Sequence, residues 1–126
     1  MPFNPSLVAV GEAMAMVQQS ILAVRLALDN NPSPDDAIEL MDRLTDLRTL
    51  RDELTRTGQA IRDGSATMPP PDEELVSQLE TSIRAVDNAT IQGTAASSVL
   101  KVVGDALALG LAVMSLASGE VAPPPT

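Results

Sequence analysis

The stretch Val99–Ala117, VLKVVGDALALGLAVMSLA, holds 14 apolar residues in 19 and only two charges, Lys101 and Asp105. A run this apolar has to be buried in a core, against a partner or in a membrane, because exposure forfeits the main driving force of folding. Drawn as a helix, it is lopsided. Thr94, Ser97, Ser98, Lys101, Gly104, Asp105, Ala108, Ala112, Ser115 and Gly119 share one narrow stripe, and all are small or polar. Val99, Leu100, Val103, Leu107, Leu111, Val113 and Met114 cover the rest. The spacing therefore predicts a central helix with one thin face open to water or to a closely approaching backbone. The uninterrupted apolar run Ala106–Met114 is well short of the ~20 residues that span a bilayer, and Asp105 interrupts the wider stretch.

The remaining chain reads as helices too. Asn4-Pro5 supplies an N-cap and a first-turn proline. Leu7, Val10, Met14, Val17, Ile21, Val24 and Leu28 then alternate steps of three and four, a seam over three heptads. Val8, Leu22 and Leu26 lie on the other side, so cover on more than one face is expected for this helix. After Asn30–Pro34, Ser33 caps a second helix, Asp35 and Asp36 favour its N-terminus, and Gly64 ends it. Ala37, Leu40, Leu44, Leu47, Leu54 and Ile61 form its apolar stripe, with Gly58 on it as a close crossing or a weak point. Its charged face offers the i,i+4 pairs Glu39–Arg43 and Asp52–Arg56.

Gly64–Pro71, GSATMPPP, reads as a stiff linker because three prolines cannot continue a helix. Asp72 caps a third helix with a stripe of Leu75, Val76, Leu79, Ile83 and Val86. Asp87-Asn88 and Gly93-Thr94 are the only breaks before the fourth, so a short turn is placed there, with one kinked helix as the alternative. The expected fold is all-α: a four-helix bundle of one domain, residues 1–119, with helices over about 5–29, 34–63, 72–88 and 94–118. Residues 120–126 are read as a Pro-rich tail. The apolar first and fourth helices should form the centre of a rod ~30–45 Å long.

Chemistry is sparsely represented. The 126 residues include no His, Cys, Trp or Tyr, one Phe and one Lys. Nucleophilic triads and Cys/His zinc sites are ruled out, and so is the His-containing di-iron site of bundles. No EF-hand or phosphate-loop spacing occurs. The acidic groups Asp35-Asp36-Glu39 and Asp72-Glu73-Glu74 sit at helix starts, where carboxylates are expected without a metal. Asn88-Ala89-Thr90 is a glycosylation sequon that means little without a secretory signal. The expectation is a protein that is not an enzyme and has no cofactor or metal site.

Net charge is −9, divided as −1 over residues 1–29, −3 over 30–64, −4 over 65–93 and −1 over 94–126. The acid lies on the two middle helices. An acidic chain without stacking aromatics is a poor nucleic-acid ligand and is repelled by anionic membranes. The N-terminal stretch has no basic residue before its apolar run, so no signal peptide is read and a cytoplasmic location is expected, with non-classical export left open. Met14, Met16, Met41 and Met114 read as core filler.

Two residues break the apolar pattern: Arg51 within the second helix's stripe and Asp105 within the fourth helix. Arg51 reads as a stem laid on the core with its head in solvent, and Asp105 as the i,i+4 partner of Lys101. The sharper reading makes them polar contacts that fix register inside the bundle or across an interface. The surplus of apolar surface points to an interaction or assembly module, either self-associating or docking on a partner protein helix. Its expected interface residues are Gly104, Asp105, Ala108, Ala112, Ser115 and Arg51. The alternative is a membrane component that uses the first and fourth helices as a hydrophobic hairpin.

This reading assigns the heptad seam to the core, at ~1.5–3 kcal/mol per large residue buried, and the small stripe to a neighbour. Ala112→Arg is therefore expected to dissociate an assembly with little loss of helicity, and Ile21→Asp to unfold the chain. Light scattering after size exclusion, with far-UV circular dichroism, checks both. An intact Ala112→Arg oligomer beside a folded Ile21→Asp monomer would reverse the assignment.

Overall fold

The computed structural model describes residues 5–65, 71–91 and 95–117. Its elements are α1 (Pro5–Asp29), α2 (Pro34–Asp63), α3 (Glu73–Ile91) and α4 (Ala96–Ala117). The chain is an all-α four-helix bundle. Cap chemistry sets most boundaries. The Asp36 amide donates to Ser33 Oγ at 3.2 Å, with Pro34 in the first turn. Gly64, at φ 79, ends α2 in the left-handed conformation that glycine adopts without strain. The Leu75 amide donates to Asp72 Oδ1 at 2.7 Å and starts α3. Two separate helices form as expected, but the third does not end at about residue 88: it continues through Asp87-Asn88, since neither residue blocks a helix. α3 runs to Ile91, α4 begins at Ala96, and the two pack against each other, which excludes one continuous helix. Residues 66–70 of the linker, 92–94 and 118–126 lie outside the described residues, as do Thr94 and Gly119 of the small stripe.

α1 and α4 each touch all three other helices, whereas α2 and α3 do not touch each other among the described residues. The cross-section is therefore a rhombus with α1 and α4 on its short diagonal. Val10 of α1 lies beside Gly58 of α2, and Thr55 Oγ1 of α2 meets Met14 Sδ at 3.8 Å, so α1 and α2 are antiparallel. Thr57 Oγ1 reaches Met114 Sδ at 3.6 Å and Leu50 packs on Gly110, so α2 and α4 run parallel. α3 and α4 pack against each other across only four intervening residues, 92–95, so they are antiparallel, and α3 runs parallel to α1. Directions alternate along the chain, and α1 and α4 are antiparallel.

The interior is aliphatic. Val10, Val17, Ile21 and Val24 of the α1 seam are buried, whereas Leu7, Met14 and Leu28 are half-buried. The deepest line of α1 is Ala9, Ala13, Met16, Ser20, Ala23 and Ala27. It lies between the α2-facing Val10 and the α3-facing Glu12, and so looks toward α4. Ser20 costs nothing there because its hydroxyl donates to Met16 O at 2.8 Å. Leu40, Leu47, Leu50 and Leu54 of α2, Leu79 and Val86 of α3, and Val99, Val103, Ala106 and Val113 of α4 complete the core.

Two ion-pair expectations fail. Among the described residues the ion pairs are Arg51–Asp52 at 3.5 Å and Arg84–Glu80 at 3.9 Å; Glu39–Arg43 and Asp52–Arg56 are not formed. Exposed pairs hold long side chains at an entropic cost that nearly offsets their attraction in water.

The glycines separate close packing from slack. A Cβ on Gly11 would meet nothing, and one on Gly58 would make an ordinary 3.5 Å contact with Val10. A Cβ on Gly110 would collide with the buried Leu50 side chain. Gly11→Ala and Gly58→Ala should each stabilise by about 0.5–1 kcal/mol through helix propensity. Gly110→Ala should destabilise by about 1–2 kcal/mol net, because overpacking outweighs the same gain. Urea denaturation midpoints read all three.

Candidate interaction surface

α4 turns its small stripe outward. Asp105, Ala108, Ala112 and Ser115 are exposed along it, and Gly104 is half-buried at its edge. Five of the six expected interface residues thus lie together on one helix face. Arg51 does not join them. It sits half-buried on α2 with its guanidinium against Asp52, and it lines neither groove beside α4.

The stripe is a low ridge between two grooves. The α2–α4 groove, about 510 Å³, is lined by Arg43, Asp46, Leu50 and Glu53 from α2 and by Gly104, Leu107, Ala108 and Leu111 from α4. The α3–α4 groove, about 440 Å³, is lined by Ser77, Gln78, Thr81 and Ser82 from α3 and by Val102, Asp105, Ala108 and Leu109 from α4. Ala108 borders both. Leu111 stands at the edge of the first, 56% exposed.

Two polar groups here sit where the sequence reading did not place them. Arg43, not Arg51, is the α2 arginine beside α4, and its Nε is buried with no hydrogen-bond partner. Ser82, only 7% exposed, has an unpartnered hydroxyl at the wall of the α3–α4 groove. A serine on an otherwise apolar stripe is the one signal that would have flagged it. Lys101 and Asp105, expected to pair, form no ion pair among the described residues.

A second exposed face lies on α1. Val8 is 39% exposed, and Leu22 and Leu26 are 45% exposed. Ala15 lies on the same side and is also exposed. The cover expected on more than one face is present, since α2, α3 and α4 all pack on α1, but it stops short of these residues. Arg25 and Asp29 share this outer face, both exposed and without an ion pair. Because α1 and α4 occupy the short diagonal, their outer faces point to opposite sides of the molecule.

Between α1 and α3 lies a second charged group with a buried, unpartnered atom. Glu12 is half-buried, with Oε2 buried and unpartnered. Burial, and secondarily repulsion from Glu80, raise its pKa above the ordinary carboxylate value. The folded state then holds the Glu12 proton to higher pH than the unfolded chain does. Between the ordinary and the raised pKa, Glu12 therefore lowers stability as pH rises. Glu12→Gln should raise the melting temperature at pH 7, and the difference from wild type should vanish as pH falls below the ordinary carboxylate range. Thermal melts from pH 3 to 8 measure this; a gain that persists at pH 3 would assign the effect to packing.

No protein-family model matches this sequence, and neither a curated protein nor a solved structure matches it.

Proposed function

We propose that this protein is a non-enzymatic assembly module that works by burying the outer faces of α1 and α4 against other helices, in the manner of an adaptor, a chaperone-like protein or a structural subunit. The carrying observation is α4. Over Ala96–Leu116 it is long and apolar enough to cross a membrane, yet only 33% of its most apolar window is buried within the bundle. The expected partner is a second copy or a partner protein helix. The chemistry of the surface favours this over catalysis: its grooves carry hydroxyls, an amide, carboxylates and a guanidinium, and no residue of the chain is a histidine or cysteine.

A membrane reading has its own observation, since α1 over Ser6–Asp29 passes the same length and apolarity test as α4. Packing counts against it: α1 and α4 each contact three neighbouring helices, although only 44% and 33% of their most apolar windows are buried.

Light scattering across a concentration series separates these readings. The proposal expects a mass that rises above 13.2 kDa toward high micromolar concentration without detergent. A 13.2 kDa species at every concentration overturns it, and co-sedimentation with neutral liposomes moves the function to the membrane.

A further inference from the structure

We infer that the partner is a second copy of this chain, joined head to tail: the outer face of α1 in one copy packs on the small stripe of α4 in the next. The inference rests on the assembly reading above and specifies its geometry. Three observations carry it.

The first is orientation. α1 and α4 are antiparallel at opposite ends of the short diagonal. Sliding a second copy along that diagonal, without turning it over, brings its α4 antiparallel to the first copy's α1.

The second is charge. Each outer face carries one cation and one anion four residues apart, Arg25 with Asp29 and Lys101 with Asp105, and none of the four forms an ion pair within the described residues. In an antiparallel pairing, the register that sets Asp29 against Lys101 also sets Arg25 against Asp105. That register places Leu22 at the level of Ala108 and Leu26 at the level of Gly104, where an added Cβ meets nothing. Two of the exposed large residues of the α1 face, Leu22 and Leu26, thus meet small residues of the other face. Segment charges agree with this direction of stacking. The stretches containing α1 and α4 carry −1 each, whereas the more acidic α2 and α3 stretches lie off the stacking axis.

The third is the Ser82 hydroxyl, more than nine-tenths buried and unpartnered at the wall of the α3–α4 groove that Ala108 borders. A neighbour's polar side chain entering that groove would satisfy it.

A contact between two different faces is heterologous, so it extends into chains or closes into rings. This property gives a test that separates it from a symmetric α4–α4 dimer. Leu22→Glu blocks one face and Ala108→Glu the other; both residues are exposed, and circular dichroism verifies that each variant stays folded. Each variant alone should be a monomer, and an equimolar mixture should form a 1:1 dimer that grows no further. Asp29→Lys and Lys101→Asp should each weaken assembly at least tenfold, and combining them in one chain should restore it. If wild type assembles but the Leu22→Glu variant assembles equally well, or the mixture stays monomeric, the head-to-tail geometry is overturned while the assembly reading stands. A monomeric wild type overturns both.

Discussion

The contact between α1 and α4 is the constraint on which the rest of this bundle depends. Helices on a diagonal approach most closely where the side chains between them are short. On α1 five of the six residues of this line are small, Ala9, Ala13, Ser20, Ala23 and Ala27, and Met16 is the one long, flexible side chain among them; Ala106 of α4 is fully buried as well. A ring on this line would push the diagonal apart and open the square.

Closing one diagonal lengthens the other. α2 and α3 are held apart at the acute corners, each touching α1 and α4 only. Each corner helix has a wide outer arc, and these two elements carry most of the acid. Net negative charge is thereby concentrated on the flanks, and the outer faces of the diagonal pair, with one cation and one anion each, are left nearly neutral. The same arrangement explains the placement of Glu12. α1 is so nearly enclosed that a residue at the edge of its buried arc faces α3 and Glu80 rather than water.

Much of the fold was legible in the sequence because local chemistry determined it. Ser33, Pro34, Gly64 and Asp72 mark helix ends through hydrogen bonds and dihedral preferences that need no tertiary partner. The outward stripe of α4 was legible for a similar reason, since residue size and polarity follow the helical period directly. The α1 seam was only half legible. Heptad reading weights large residues and selected Leu7, Met14 and Leu28, which end up half-buried, while the alanine line at the centre carries almost no signal of its own. Arg51 breaks the apolar stripe of α2 and Arg43 reads as part of its charged face, yet it is Arg43 that borders the groove beside α4, because the placement of the neighbouring helices decides the matter. The exposure of Leu22 and Leu26 depends on where α3 stops covering α1, a fact of packing rather than of period.

The rhombic layout also bears on how the chain reaches its native state. In a simple up-down bundle each new helix packs beside the previous one, and local hairpins accumulate. Here α3 emerges from α2 without touching it, and the alanine line of α1 has no cover until α4 arrives. Contacts between the first and fourth helices close across most of the chain, which raises contact order above that of a sequential hairpin bundle. A ribosome-bound chain carrying three helices would hold an uncovered apolar furrow along α1. During synthesis, this is where holdase chaperones would engage it.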